Sequence, residues 1–422
     1  MKKQTVILGG GLTGLSVAYH LGDNSIVLEK SSRVGGLCKS EKINGWTFDY
    51  TGHLLHFRNE YAKKLVFKLL NGNLKKNIRR AYIYTFDRYI PYPFQANLYS
   101  LPSLIQKECV QGMLDTKLHL KNPKNLEEWI ISTFGKGIAK YFMIPYNQKM
   151  WKTPLKNMNP YALSKYAPVL SIDDIMKSIV ENKPGKFGYN VNFWYPKSGG
   201  IEEFVQEIAK KIKNVCLNSE ITGISLKNRY VVVNNTKKIN FDTLVSTLPI
   251  TELISKIDEV PDVVRKSAQM LEYVSVLNIN IGVARDNISD KHWVYFSEKK
   301  FVFYRIGFYT NISRALAPKG TTSMYIEVAY RNNIDKNAVF KRVKEDLFLA
   351  KVLNKSDKIL AYLPLDIKYA YPVNTVSTPK NLAIINRFLN KNSVYSIGRF
   401  GKWHHSSMED AILEGKCVLS HI

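Results

Sequence analysis

The sequence predicts an α/β protein: a discontinuous Rossmann-like dinucleotide-binding domain with a helical insertion and an antiparallel β-sheet insertion. Three observations predict it: a strand, glycine turn and helix at the N-terminus, helical periodicity from about 98 to 183, and sheet-like alternation from 270 to 372. In the first unit Val6-Ile7-Leu8 reads as a short buried strand, followed at once by Gly9-Gly10-Gly11-Leu12-Thr13-Gly14. A helical stretch, Leu15 to Leu21, comes next, and Ser25 to Glu29 closes the unit as a second strand. The first glycine of the motif allows a tight turn, and the second lets the backbone approach a pyrophosphate. The third lets helix pack on strand, with the helix N-terminus facing the anion. Glu29 stands where a carboxylate accepts hydrogen bonds from an adenosine ribose. Gly9, Gly11, Leu12, Thr13, Gly14, Glu29 and Lys30 are therefore the expected dinucleotide contacts.

Arg33-Val34-Gly35-Gly36-Leu37 narrows the dinucleotide to FAD. An Arg-x-Gly-Gly stretch past the acidic strand resembles flavoproteins of the amine oxidase and UDP-galactopyranose mutase group. The resemblance implies a loop close to the flavin phosphate and ribityl chain, with Arg33, Gly35, Gly36 and Leu37 as contacts. Simple NAD dehydrogenases lack this second glycine pair.

Along the chain, Leu126 to Ile131 and Ile172 to Val180 carry helical spacing, as does Glu203 to Lys213. Short strands are expected at Ile221 to Leu226, Tyr230 to Asn234 and Phe241 to Thr247. Val274 to Ile281, Phe301 to Tyr309 and Ser323 to Tyr330 alternate as a half-buried sheet does. The expected division is an FAD-binding domain of 1–97, 190–265 and 373–422, a mainly helical substrate and oligomerisation domain of 98–189, and an antiparallel β-sheet substrate domain of 266–372. Ligands then bind in the crevice between domains.

Composition excludes several classes. At 422 residues with 45% hydrophobic content, the chain suits two or three domains and needs no disulfide framework. Cys38, Cys109, Cys216 and Cys417 lack CxxC spacing, and the eight histidines lack metal-ligand spacing, so no metal is expected and a reducing cytoplasm fits. The N-terminus runs directly into a strand, so no signal peptide is expected. No uncharged apolar run reaches membrane-spanning length. The net charge of +26 is spread along the chain without a basic-aromatic motif, which argues against nucleic acid. It is compatible with peripheral contact to an anionic membrane surface, and with a diphosphate substrate.

Five further motifs resemble the UDP-galactopyranose mutase family, nearer its eukaryotic-type branch. They are Thr51-Gly52-His53-Leu54-Leu55-His56, Tyr146-Asn147-Gln148-Lys149-Met150-Trp151, Tyr195-Pro196-Lys197-Ser198-Gly199-Gly200-Ile201, Phe303 to Asn311, and Gly398-Arg399-Phe400-Gly401-Lys402-Trp403 with Met408 to Ala411. The resemblance implies a reduced-flavin mutase that interconverts pyranose and furanose forms of a nucleotide sugar through a flavin N5–sugar adduct, in polysaccharide biosynthesis. The cofactor carries the chemistry and the protein orients it.

Carried over residue by residue, the resemblance makes Arg305 the diphosphate clamp, its guanidinium fork holding two phosphate oxygens. A surface strand arginine is its bland reading. His53 would contact the flavin near N5, rather than act only as a turn histidine. Trp151 and Tyr146 would meet nucleotide or sugar, against the plain alternative of core filling. Tyr371 would touch phosphate, and His404 or His405 replaces a family tyrosine; His405 is taken as the substrate contact. Gly398, Arg399 and Met408 would hold FAD. Tyr304 alternates to the other face of the Arg305 strand. Family members form homo-oligomers, and the electron source is open between NAD(P)H and a separate flavin reductase.

One departure stands out. The family places a second diphosphate arginine on a loop where this chain, from Lys152 to Trp194, has no arginine at all. Lys165, Lys177, Lys183 or Lys186 could substitute as a point charge without the fork. The competing reading is an FAD oxidase or desaturase of the amine oxidase or protoporphyrinogen oxidase type, which shares the N-terminal unit. A charged rather than greasy cleft separates the two. A non-catalytic nucleotide-binding protein ranks third.

Overall fold

The structure, a computed structural model, describes residues 4–116, 122–164, 167–183 and 191–421. Strand β1 (Thr5–Leu8) is the centre of a five-stranded parallel sheet ordered Val394–Ser396, Thr243–Ser246, β1, β2 (Ser25–Leu28), Val215–Cys216. Thr5 pairs with Thr243 on one side and Ser25 on the other. Val6, Ile7 and Leu8 are fully buried, as expected of a strand covered on both faces. Helix α1 (Leu12–Leu21) follows the glycine turn. Gly9 has φ of +98°, in the region that favours glycine. Thr243–Ser246 is the expected return strand. Val394–Ser396 is too short for its alternation to stand out in the sequence.

A second sheet of seven strands stands beside the first. Its order is Ile359–Val373, Glu272–Val283, Thr322–Tyr330, β3 (Arg305–Phe308), Trp293–Phe296, Ala81–Thr85, Arg88–Pro91. Neighbours run antiparallel except Trp293–Phe296 with Ala81–Thr85, which are parallel. Only Arg305–Phe308 of the expected strand Phe301 to Tyr309 is extended in the ladder. Phe301, Phe303 and Tyr304 are all buried, so apolar side chains fill both sides of a loop there and mimic a strand pattern. The helix Lys336–Leu349, capped by Asp335 on the amides of Asn337 and Ala338, packs Val343 and Leu347 into this sheet's core.

The helices Ser103–Asp115, Leu126–Ile138, α2 (Ile144–Trp151) and Ile172–Val180 form a third layer around Phe94, Phe134 and Ile138. A π-turn, Ala139–Met143, precedes α2 and rotates Phe142 and Met143 toward the inside. Helix α3 (Met408–Cys417) returns the chain to the parallel sheet, starting at a capping box between Ser407 and Asp410. Gly415 of α3 packs against Ser16 of α1, whose hydroxyl donates to the Ile412 carbonyl at 2.7 Å.

Candidate active site

Three cavities share walls and form one cleft between these layers. The first, about 510 Å³, opens beyond the carboxyl end of β1 and is lined by Gly9, Gly11, Leu12, Thr13, Glu29 and Lys30. Gly35, Gly36, Leu37, His53, Gly398, Arg399 and Met408 line it too. This is the crevice position where open α/β sheets bind ligands. Glu29 is buried and accepts from the Gly10 amide at 2.7 Å and the Ser31 amide at 2.9 Å. No side chain caps the N-terminus of α1, and its first turn holds no acid, so its leading amides suit an anion.

The glycines test whether a dinucleotide fits. A Cβ on Gly14 would sit 2.0 Å from the Gly9 carbonyl oxygen, so Gly14 serves helix–strand contact beneath the turn and does not line the cavity. Gly11 has an ordinary φ of −72°, and a Cβ there would meet nothing nearer than Gly36 Cα at 3.9 Å. Neither strain nor packing requires glycine at Gly11; the open volume before it does. FAD fits this donor set.

Arg33 departs from expectation. Its Nη1 donates to Glu202 Oε1 at 2.9 Å and to the Ser40 carbonyl, while Nη2 pairs with Glu41. Two carboxylates occupy its fork, and it is not among the residues lining the cavity. It ties the Arg-x-Gly-Gly loop to the helix Glu202–Ala209 instead.

The second cavity, about 310 Å³, shares His53, Arg399 and Met408 with the first. Four guanidinium groups face it: Arg58, Arg79, Arg305 and Arg399. His53 Nδ1 lies 3.2 Å from Thr51 Oγ1, and desolvation with Arg399 and Arg305 nearby pushes its pKa down to about 3. His56 donates from Nδ1 to the Asn192 carbonyl at 3.2 Å; burial holds it down to about 4. Both rings are neutral at pH 7, and Nε2 of His56 is left as an acceptor.

Arg305 sits opposite Glu327 across the ladder and donates from Nη2 to Glu327 Oε1 at 2.7 Å, with Nε on Oε2. Glu327 is fully buried, so the pair is close to neutral as a unit. One edge of the expected fork is thus engaged, leaving the Nη1 side for a ligand. Tyr304 is buried on the other face, against Tyr146 at 6.3 Å between ring centroids.

The third cavity, about 230 Å³, shares Tyr92, Tyr295, Arg305 and His405 with the second. Tyr146, Trp151 and Tyr371 line it among mostly apolar side chains. Trp151 Nε1 donates to Asn147 Oδ1 at 3.1 Å, and its ring meets Tyr371 edge-on at 5.9 Å. Tyr371 in turn meets the His405 ring at 5.7 Å. His404 turns away and pairs with Glu414 at 3.0 Å.

Two arginines of this cleft escaped the sequence reading. Arg79 follows Lys75-Lys76-Asn77-Ile78, a run that reads as solvated surface. The segment docks through the Arg79 amide on the Val191 carbonyl at 2.8 Å, and the guanidinium lies 5.2 Å from the Tyr92 ring centre. Arg58 stands two residues past His56, near Glu409 and Asp410 at 3.4 and 3.6 Å. Of the lysines expected to replace an arginine, Lys177 is exposed beside Glu181 and Lys183 is exposed; neither lines the cleft. Lys165 and Lys186 lie outside the described residues. Among the described residues no group of acids, histidines and cysteines could hold a metal, and no helix is long and apolar enough to cross a membrane.

Known proteins agree with this architecture. A solved structure of reduced UDP-galactopyranose mutase superposes with a TM-score of 0.94 at 25% identity, covering 99% of this chain and 95% of that one. A putative protoporphyrinogen oxidase from Exiguobacterium sp. 255-15 shares the fold with a TM-score of 0.78 at 15% identity, over 100% and 98% of the two chains. The UDP-galactopyranose mutase of Mycoplasma pneumoniae is 22% identical over 263 residues, 58% of this chain; the match spans 62% of that relative's length. The L-amino-acid oxidase of Crotalus adamanteus is 26% identical over 247 residues, 55% of this chain and 46% of its own. The family model for flavin containing amine oxidoreductase matches residues 12–416. With the first cavity's fit, this makes FAD the cofactor, and the chain belongs to the flavin-containing amine oxidoreductase family.

Proposed function

We propose that this protein is a reduced-flavin-dependent mutase that interconverts pyranose and furanose forms of a nucleotide sugar, UDP-galactose or a close analogue. The observation that carries the reading is the order of the three cavities: flavin crevice, arginine-lined chamber, aromatic pocket, with Arg305 on the last shared wall. A nucleotide sugar has the same order of parts. The base and its ribose pack among Tyr146, Trp151 and Tyr371, the diphosphate meets the arginines, and the sugar lies beside His53 and the flavin. Bound and reduced, FAD supplies the nucleophile for the sugar's anomeric carbon, with no net oxidation.

Charge balance assigns the protein's part. Glu327 offsets Arg305, so the positive charge a diphosphate needs comes from elsewhere. Arg399 donates to the carbonyls of Ala370 and Ser406 rather than to a carboxylate, and Arg79 stands by Tyr92 on the same wall as Tyr295. Arg79 thus takes the role for which lysines of the 152–194 segment were considered. As the diphosphate departs, Arg79 supplies positive charge and Arg305 donates hydrogen bonds from its Nη1 side. His53, neutral, offers a hydrogen bond at the flavin edge without adding charge.

The oxidase reading draws on the mostly apolar third cavity, but four guanidiniums in the adjoining chamber oppose an amine or lipid substrate. Cytoplasmic location, a homo-oligomeric assembly and reduction by NAD(P)H or a separate reductase complete the proposal, together with a place in polysaccharide biosynthesis. Titrating UDP into the FAD-loaded protein tests the cleft: saturable shifts in flavin absorbance are expected, weakened in Arg79→Ala. A flavin spectrum indifferent to UDP at millimolar concentration would remove the nucleotide from the cleft.

A further inference from the structure

Helix α2 has two working faces. Tyr146, Asn147, Met150 and Trp151 face the aromatic pocket, while Pro145, Gln148, Lys149 and Lys152 line a separate cavity of about 450 Å³ behind it. Lys299, Lys300 and Arg342 complete that wall, and none of its lining side chains is acidic. Lys149 is held in place: its ammonium donates to the carbonyls of Phe296 at 2.9 Å, Phe303 at 3.2 Å, and Glu298. The cavity floor is therefore tied to the loop that leads into β3, and is a built concavity rather than a row of solvated lysines.

Nearby acids offset part of the charge. Lys300 approaches Asp87 at 3.3 Å and Glu298 at 3.5 Å, and Arg342 approaches Asp346 at 3.0 Å. Lys152 and Lys299 have no carboxylate within ion-pair distance among the described residues. Burial, with Lys152 beside it, holds the Lys149 ammonium down to about 7. The overall surplus of 61 basic over 35 acidic residues, only partly used by the flavin cleft, has a local focus here.

We propose that the cavity behind α2 binds a phosphate-bearing polyanion at a site separate from the cleft, with Lys152 and Lys299 as its principal cations and Lys149 holding the floor in place. The phosphate could belong to a free polyphosphate or nucleotide, or to an anionic lipid headgroup. Recognition by ammonium groups as point charges suits a multiply charged, rotationally symmetric anion.

The test uses the FAD-loaded full chain. Sodium pyrophosphate is titrated by calorimetry at low ionic strength into wild type, Lys152→Gln/Lys299→Gln, Lys152→Arg/Lys299→Arg and Arg305→Ala. One binding component should weaken roughly tenfold in the glutamine variant, return in the arginine variant and persist in Arg305→Ala. Vesicles of phosphatidylglycerol, against phosphatidylcholine controls, form the second arm. Sedimentation with phosphatidylglycerol that the glutamine variant loses identifies a lipid headgroup; a pyrophosphate component alone identifies a free anion. If neither pyrophosphate nor vesicle binding depends on the two lysines, or all binding tracks Arg305, the proposal is overturned.

Discussion

Gly11 and Gly14, three positions apart in sequence, allow cofactor binding and packing to be separated. In Gly14→Ala the new Cβ lies 2.0 Å from the Gly9 carbonyl oxygen, well inside the 3.0 Å that real Cβ atoms do not cross, and a tight 3.2 Å from its carbon. The clash is with the Gly9 backbone, which has no side chain to swing away, so the cost is at the upper end of overpacking, about 3 kcal/mol, a fall in Tm of roughly 3–4 °C. In Gly11→Ala the Cβ meets only Gly36 Cα, at 3.9 Å, with an ordinary backbone angle. Losing glycine at a helix N-cap costs under about 1 kcal/mol, and the stiffer unfolded chain returns about as much. The apo protein should therefore melt within about 2 °C of wild type. The methyl group stands where the pyrophosphate approaches, and about 1–3 kcal/mol of crowding weakens FAD roughly 5- to 150-fold. Scanning fluorimetry on apo protein and flavin retention after gel filtration read the two effects separately. A Gly11→Ala protein that melts like Gly14→Ala yet keeps its full flavin complement would refute the reasoning.

Other outcomes follow from the cleft. Arg305→Ala should keep its flavin colour but lose roughly a hundred- to a thousandfold in kcat, and stranding Glu327 as a buried charge should cost about 3–5 kcal/mol by denaturant titration. Arg305→Lys should recover most of that stability and little of the turnover, since it keeps the charge but not the geometry. Arg79→Ala should weaken UDP binding by about 1.5–3 kcal/mol in calorimetry, with flavin content unchanged; an unaltered affinity removes Arg79 from the diphosphate contact. The pH dependence of stability has two opposed parts. His292, fully buried, is held down to about 4 by desolvation and Arg80, and His53 and His56 are held down likewise, so for each the unfolded chain takes up its proton first and each lowers stability by about 1.4 kcal/mol per pH unit from pH 6.5 toward 4. Asp49 is pushed up to about 6 by burial, so stability rises as pH falls from 6 toward 3.8. Asp49→Asn should remove that opposing gain and leave a steeper acid limb; an unchanged limb contradicts the assignment.

The legibility of this chain followed the range of its interactions. The βαβ unit was readable because its strand, turn, helix and acidic end are contiguous, and each position has a local reason for its residue. The long strands Glu272–Val283 and Thr322–Tyr330 were readable from their alternating residue types, but they are buried at nearly every position rather than on one face, because both faces of the sheet are covered there. Phe301 to Tyr304 misled because burial on both sides produces the same letters as a strand. Arg33 misled for a related reason: its motif marks the loop correctly, but its partners Glu41 and Glu202 lie far apart in sequence. Arg79 went unseen because a basic run names no ligand until tertiary pairing turns one member inward. The capture of Arg305 by Glu327 depends on cross-strand register, which motif spacing does not contain.

The most direct test of the central claim is turnover as a function of flavin redox state. Purified FAD-loaded protein, reduced with dithionite under anaerobic conditions, is incubated with UDP-galactofuranose and related nucleotide furanoses, and products are resolved by chromatography. The account predicts conversion to the pyranose by the reduced enzyme and none by the oxidised enzyme, with no oxygen consumed. A reduced enzyme that converts none of these sugars, but consumes oxygen with an amine or unsaturated substrate, would contradict it and place the oxidase reading first.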